Sequence, residues 1–157
     1  MAKEQLVCLV SDSHGLVRPE VVAALEGVDL IVHAGDVGGP EVLDRLRELA
    51  PLVAIRGNND RGAWAEPLPT SRVVEVGDAS LYVVHDLAEL DLDPAAAGFD
   101  AVVSGHSHRP SMERRGSVLF VNPGSIGPRR FTLPIALARL RVSADGVDAT
   151  IVEISCT

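Results

Sequence analysis

The chain has 157 residues, of which 46% are apolar and only 3% aromatic, and it carries a formal charge of −8. That length is the usual size of one domain, and the apolar content fills a core of Val, Leu, Ile and Ala, as in buried strands flanked by helices. The acidic balance excludes a general nucleic-acid or membrane-surface binder, because such proteins gain affinity from Lys and Arg that neutralise phosphates or lipid headgroups.

Met1-Ala2-Lys3-Glu4-Gln5 leads into a short apolar run that Ser11-Asp12 ends. It is too short for a signal-peptide core or a membrane span, so the cytoplasm is the expected location. Leu6 to Val10 reads as a buried strand, and Pro19-Glu20 opens a short helix with Val21, Val22 and Leu25 on one face, closed by Gly27. Val28 to Val32 is a second strand. Pro40 opens a second helix, with Val42, Leu43, Leu46 and Leu49 at helical spacing, and Pro51 stops it. Leu52 to Ile55 completes a βαβαβ arrangement, whose crossovers place helices on a parallel sheet.

Arg61 to Pro69 has no periodicity and reads as a surface loop, with Trp64 as its anchor rather than a base-stacking platform. Arg72 to Val76 and Ser80 to Val84 form a hairpin through Gly77-Asp78. Asp93-Pro94 begins an alanine-rich helix that Gly98 closes, and Ala101 to Val103 is the strand before Gly105-His106-Ser107-His108. Ser117 to Val121, Ile135 to Val142 and Val147 to Ile154 read as antiparallel β structure. Cys8 and Cys156 make neither a disulfide framework nor a thiolate metal spacing.

The polar residues that end these runs form an ordered set. They are Asp12-Ser13-His14, Gly35-Asp36, Gly57-Asn58-Asn59-Asp60, His85 and Gly105-His106-Ser107-His108. Strand carboxyl ends share one edge of an open α/β sheet, so loops far apart in sequence converge there. Carboxylate, imidazole and carboxamide donors without thiolate suit Mn, Fe, Co, Ni or Zn better than Ca or Mg alone. Two such ions about 3.5 to 4 Å apart lower the pKa of a bridging water and bind phosphoryl oxygens, so phosphoester hydrolysis is the natural reaction.

The same ordered pieces resemble the calcineurin-like metallophosphoesterase superfamily, whose pattern is Asp-x-His, Gly-Asp, Gly-Asn-His-Asp/Glu, His and Gly-His-x-His. The match spans residues 12 to 108, and Asn122-Pro123-Gly124-Ser125 with Pro128-Arg129 is similar to the downstream segment of the family's small single-domain prokaryotic phosphodiesterases. The resemblance implies one α/β domain over residues 1–157, a two-sheet β-sandwich core flanked by helices, with a parallel first half and an antiparallel second half.

It further implies two divalent ions, Mn foremost. Asp12, His14, Asp36 and His108 would hold one, and Asp36, Asn58, His85 and His106 the other, so that Asp36 bridges. The implied catalytic positions are Asp36, Asn58 and His106. The expected activity is phosphodiester hydrolysis of a small substrate by a hydroxide between the ions. Phosphomonoester or nucleotide pyrophosphate hydrolysis on the same centre, and a weakly catalytic binding scaffold, are the alternatives. Homo-oligomers are common among the look-alikes, though no segment identifies an interface.

Two departures stand out. Asn59 replaces the family's histidine, and an amide donates a hydrogen bond but is no general acid, so good leaving groups are expected. Asp86 follows His85 where the family commonly has glycine. It could tune His85, repel an anionic substrate or face solvent. Asn59 and Arg129 are candidate substrate contacts, Arg129 because a guanidinium matches phosphate oxygens, although paired arginines in a loop are usually solvated. His33 is the remaining histidine, read as a partly buried side chain ending the second strand.

Overall fold

The computed structural model describes residues 4–156. Met1, Ala2 and Lys3, with which the sequence reading begins, lie outside the described residues, as does Thr157. The elements are β1 (Gln5–Val10), α1 (Pro19–Leu25), β2 (Leu30–His33), α2 (Pro40–Arg47), β3 (Leu52–Ala54), β4 (Ser71–Val76), β5 (Ala79–Val84), β6 (Ala101–Val103), β7 (Ser111–Arg115), β8 (Val118–Asn122), β9 (Ala136–Ser143) and β10 (Gly146–Glu153). They form two five-stranded sheets, ordered β10-β9-β1-β2-β3 and β4-β5-β6-β8-β7.

Side-chain alternation along the strands sorts the apolar residues into layers. Val7, Leu9 and Val32 of the first sheet pack with Leu81, Val83, Val103 and Val121 of the second, making the core between sheets. Cys8, Val10 and Ile31 face the other way, onto Val21 and Leu25 of α1 and Val42, Leu43 and Leu46 of α2. The outer face of the second sheet carries a smaller cluster, Val84, Val102 and Val118 with Tyr82, Leu87 and Phe120. Trp64 is half-buried against the helix-side cluster, which makes it the anchor of its loop. Burial pushes the Cys8 thiol up to about 12, with Arg139 opposing weakly, so this cysteine is inert packing.

Two expectations need correction, and one strand was not foreseen. The second half is mixed rather than antiparallel: β5-β6 and β6-β8 are parallel pairs, and β9 and β10 return to the first sheet beside β1. The alanine-rich segment after Asp93 is a turn and not a helix. Asp93 Oδ1 does accept from Ala95 and Ala96 N–H, but Ala95 to Gly98 are exposed, and a single turn with no apolar face to bury does not outweigh the nucleation cost. Strand β7 (Ser-Met-Glu-Arg-Arg) is a fully exposed edge strand held by pairing with β8, so no hydrophobic alternation announced it.

This topology positions the site. Parallel β1, β2 and β3 lead into Asp12-Ser13-His14, Gly35-Asp36 and Gly57 to Asp60, while parallel β5 and β6 lead into His85 and Gly105 to His108, and β8 ends at Asn122. The carboxyl ends of both sheets therefore meet at one edge.

Candidate metal centre

Backbone hydrogen bonds first tie these loops together. Asp12 N–H donates to Gly35 O (3.0 Å), His14 N–H to Asp36 O (3.0 Å) and Gly105 N–H to His85 O (2.9 Å). Among the described residues six non-glycine residues have positive φ, and five are Asp12 (55°), His14 (46°), Asp36 (56°), His106 (71°) and His108 (63°). Each such left-handed residue costs about 1 kcal/mol or more, and the surrounding loops hold that strain where the side chains must converge.

Asp60, Asn122 and His33 are the clamps. Asp60 is buried and accepts three backbone N–H groups, from Val37 (3.1 Å), Gly38 (3.0 Å) and Gly57 (2.9 Å). Asn122 donates to Gly105 O (3.0 Å) and Ser107 Oγ (3.1 Å) and accepts from Gly124 N–H (2.9 Å). Gly105 lies so close to the first loop that a Cβ there would collide with Ser11 Oγ and Asp12 Oδ2. The sequence offered no cue that Asp60 and Asn122 act through the backbone.

His33 is fully buried, more than its reading as a partly buried strand end implied. Gly35 N–H donates to its Nδ1 (3.1 Å), so the ring proton lies on Nε2 and is donated to Ser13 Oγ (2.8 Å). The Ser13 hydroxyl donates onward to Val37 O (2.8 Å), linking the Asp12 and Asp36 loops through a neutral imidazole. Burial, only partly opposed by Asp12 and other carboxylates, lowers the His33 pKa from 6.5 to about 4.

The unfolded chain therefore takes up a proton below pH 6.5 that the folded protein refuses until about pH 4, so the His33 contribution is complete above pH 6.5 and lost as pH falls through that window. It amounts to about 3 kcal/mol. In chelator-treated protein, unfolding free energy between pH 7 and 4 is expected to fall more steeply than in His33→Gln. Parallel curves would show that His33 does not titrate this way.

Within these clamps five side chains gather. Asp12 Oδ1 lies 3.7 Å from His14 Nε2, 3.8 Å from His85 Nε2 and 3.5 Å from His108 Nε2. Asp36 Oδ2 lies 3.2 Å from His85 Nε2 and 3.7 Å from His14 Nε2. Most of these separations are long for hydrogen bonds. Two ligands of one tetrahedral ion, each about 2.1 Å from it, stand about 3.4 Å apart. Asp12-His14-His108 and Asp12-Asp36-His85 each bring three donor atoms within 4.8 Å of one another.

The donor chemistry fits a cation as well as the spacing does. His85 Nδ1–H donates to Ala34 O (2.7 Å), so in the neutral ring the Nε2 lone pair faces the Asp36 carboxylate. That encounter is repulsive unless a proton or a metal ion lies between them. Asp12 Oδ1 and His85 Nε2 are buried without a hydrogen-bond partner, as ligand atoms awaiting a metal would be. Burial alone would lower the His85 pKa, but Asp36 and the Ala34 carbonyl outweigh it and hold it above the ordinary value. Burial likewise pushes Asp36 and Asp12 upward, yet His85 and the Asn59 N–H for Asp36, and His14 and Ser11 for Asp12, leave both below the usual carboxylate range. Burial and Arg130 lower the His108 pKa against the pull of Asp12, which favours the neutral, ligating imidazole.

The other candidate residues lie around this cluster. Asn58 and His106 are exposed and pair with each other, His106 Nδ1 donating to Asn58 Oδ1 at 3.3 Å, and the His106 ring meets the His85 ring edge-on at 5.3 Å. His106 backbone N–H donates to Asp12 Oδ2 (3.0 Å). Asn59 puts its side-chain amide on Asp36 Oδ2 (3.1 Å) and its backbone N–H on Asp36 Oδ1 (2.9 Å), so its donors orient a carboxylate. Arg129 lines a separate cavity with Thr132, Glu153 and Cys156, whereas Arg130 is the cation whose charge reaches His108. Asp86 caps the 3-10 turn Leu87–Glu89 through Ala88 N–H (3.0 Å) and lies 3.8 Å from His106 Nε2.

Carboxylates and imidazoles gathered at the shared strand edge of an α/β sandwich form a donor set that could hold divalent metal. The chain belongs to the calcineurin-like phosphoesterase superfamily, whose domain model matches residues 6–145. It is 33% identical over 160 residues to a probable metallophosphoesterase of Methanothermobacter thermautotrophicus, covering 94% of this chain and 92% of that protein. It is 29% identical over 146 residues to the phosphodiesterase YfcE of Escherichia coli strain K12, covering 74% and 76%. Among solved structures, a predicted phosphoesterase from Streptococcus pneumoniae superposes with a TM-score of 0.74 at 25% identity, covering 98% of this chain and 91% of that one. Zinc-complexed Vps29 from Entamoeba histolytica shares the fold, with a TM-score of 0.69 at 21% identity and coverage of 96% and 99%. Among the described residues no helix is long and apolar enough to cross a membrane.

Proposed function

We propose that this chain is a metal-dependent phosphodiesterase acting on a small substrate, with Asp12, His14, Asp36 and His108 holding one divalent ion and Asp36, Asn58, His85 and His106 a second. The observation that carries the reading is the unpartnered Asp12 Oδ1, ringed by three imidazole nitrogens at 3.5 to 3.8 Å. A bound pair of ions would supply a low-pKa water and neutralise the phosphoryl oxygens. Asp36 is placed to be shared, since its Oδ2 faces both His14 and His85. His106, 45% exposed in its side chain, stands at the rim where substrate arrives.

Asn59 stands where the family has its histidine. The Asn59 amide is engaged by Asp36 and has no acidic proton to give a leaving oxygen, so esters of acidic alcohols and phenols are the better substrates. The phosphodiesterase name of the E. coli relative favours a diester over a monoester or a pyrophosphate. Manganese is the metal proposed first, on the mixed oxygen and nitrogen donor set.

Purified protein with Mn²⁺ is expected to hydrolyse bis(p-nitrophenyl) phosphate faster than p-nitrophenyl phosphate. His106→Ala is expected to lower that turnover by about 100-fold while leaving the thermal midpoint of the metal-free protein unchanged. Equal turnover by the variant would overturn the assignment of His106. A binding scaffold would show no turnover of mono-, di- or pyrophosphate esters with Mn, Co, Ni or Zn supplied.

A further inference from the structure

A cleft of about 540 Å³ opens beside the metal centre and runs from His106 and Asp86 over the outer face of the second sheet. Its volume is that of a small-molecule site, not of a surface ripple. Its apolar surface comes from Leu87 and Phe120, partly buried on the cluster of that face, and from Met112, 46% exposed on the edge strand β7, with polar side chains such as Ser107 and Ser111 between them. A smaller recess of about 140 Å³, lined by Arg56 and Thr70, meets the cleft at Asp86 and His106. A phosphate seated at that junction has an outlet on each side, which a diester fills with its two arms and a monoester cannot.

The charges in the large cleft are one-sided. Its arginine, Arg115, is already engaged, with its guanidinium 4.4 Å from the centre of the Phe120 ring and 3.1 Å from Glu113. Asp86 sits at the inner end, where substrate meets metal, with its backbone cap fixing it in place. An anionic arm entering there would face the Asp86 carboxylate first, with the cleft's second carboxylate, Glu113, beside its arginine.

We propose that this cleft is the binding site for one organic arm of the substrate, and that it selects a phosphodiester whose arm is apolar and neutral or cationic. Asp86 is the residue that rejects a second anionic group. Of the three roles open to Asp86, the proposal takes substrate discrimination, and it rests on the phosphodiesterase reading only in placing the phosphate at the metals.

The test is direct binding, by calorimetry, of two diesters to the Mn²⁺-loaded protein: diphenyl phosphate and its bis(4-carboxyphenyl) analogue. Diphenyl phosphate is expected to bind about 10-fold more tightly. Asp86→Asn should narrow that preference, and Met112→Lys, which places a cation on the exposed wall, should reverse it. Because each variant is judged on the ratio of two ligands, a general loss of metal or affinity cancels. Equal binding of the two diesters by the parent protein, or a ratio untouched by both substitutions, overturns the proposal. A preserved preference in a protein that hydrolyses no diester would sink the phosphodiesterase reading and leave the cleft assignment standing.

Discussion

Asp36→Ala is expected to lower turnover of an activated phosphodiester by about 1,000-fold or more, and to reduce the bound divalent metal. Asp36 is the carboxylate placed between the two histidine sets, its Oδ2 facing His85 at 3.2 Å and His14 at 3.7 Å. Both backbone and side chain of Asn59 are spent on orienting it, and its left-handed backbone is stored strain. No neighbouring group can substitute, since Asp12 is the only other carboxylate in the described ligand clusters and already faces His14, His85 and His108.

The metal-free protein should lose stability too, for a separate reason. Without ions, the Asp36 carboxylate still accepts two hydrogen bonds from Asn59 and faces His85, which hold its pKa below the usual carboxylate range, so its charge stabilises the fold near neutral pH. The thermal midpoint of chelated Asp36→Ala is therefore expected to lie below that of the parent, and the further rise on adding Mn²⁺ to shrink as well. Unchanged metal stoichiometry in the variant, measured by elemental analysis, would show that Asp36 is not a shared ligand.

Asp60→Ala is expected to cost about 3 kcal/mol or more, because it leaves several backbone donors without an acceptor. Three N–H groups, on Val37, Gly38 and Gly57, lose their acceptor, and the loops they anchor carry Asp36 and Asn58. Asp60→Asn keeps an acceptor for Val37 and Gly57 if its oxygen takes the Oδ2 place, but turns an amide N–H₂ toward Gly38 N–H, and should cost about 1 to 2 kcal/mol. Chemical denaturation of metal-free protein separates these cases. A loss below about 1 kcal/mol in Asp60→Ala would mean that water replaces the carboxylate and that the clamp is not structural.

The order of these effects shows how much of the centre was legible beforehand. His14, His85, His106 and His108 could be read as candidate ligands because each follows an apolar run with few other duties for a histidine there, and the structure gathers His14, His85 and His108 around Asp12. Asp60 and Asn122 could not, because an acceptor of backbone N–H groups has no residue partner to recognise in a one-dimensional string. His33 was legible as a strand end, but its fixed tautomer and its link through Ser13 to Val37 arise only when the first two loops are brought together. The strand β7 and the cleft it borders were invisible for a similar reason: an edge strand rich in charge is held by pairing with β8, not by burial.

The sequence by itself determined the parallel β1-β2-β3 part of the first sheet, the two Pro-initiated helices and the identity of the residues at the strand ends, because local periodicity and breaker residues fix these without reference to the rest of the chain. Only the tertiary structure decided that the second half supplies parallel strands of its own, so that two sheets deliver their loops to one edge. Tertiary structure also decided that Asp12 faces three histidines rather than two, and that Asp86 stands at the mouth of a cleft. Distances across loops depend on how the sheets stack and on which backbone groups the buried side chains capture, and those are properties of packing rather than of any local run of residues.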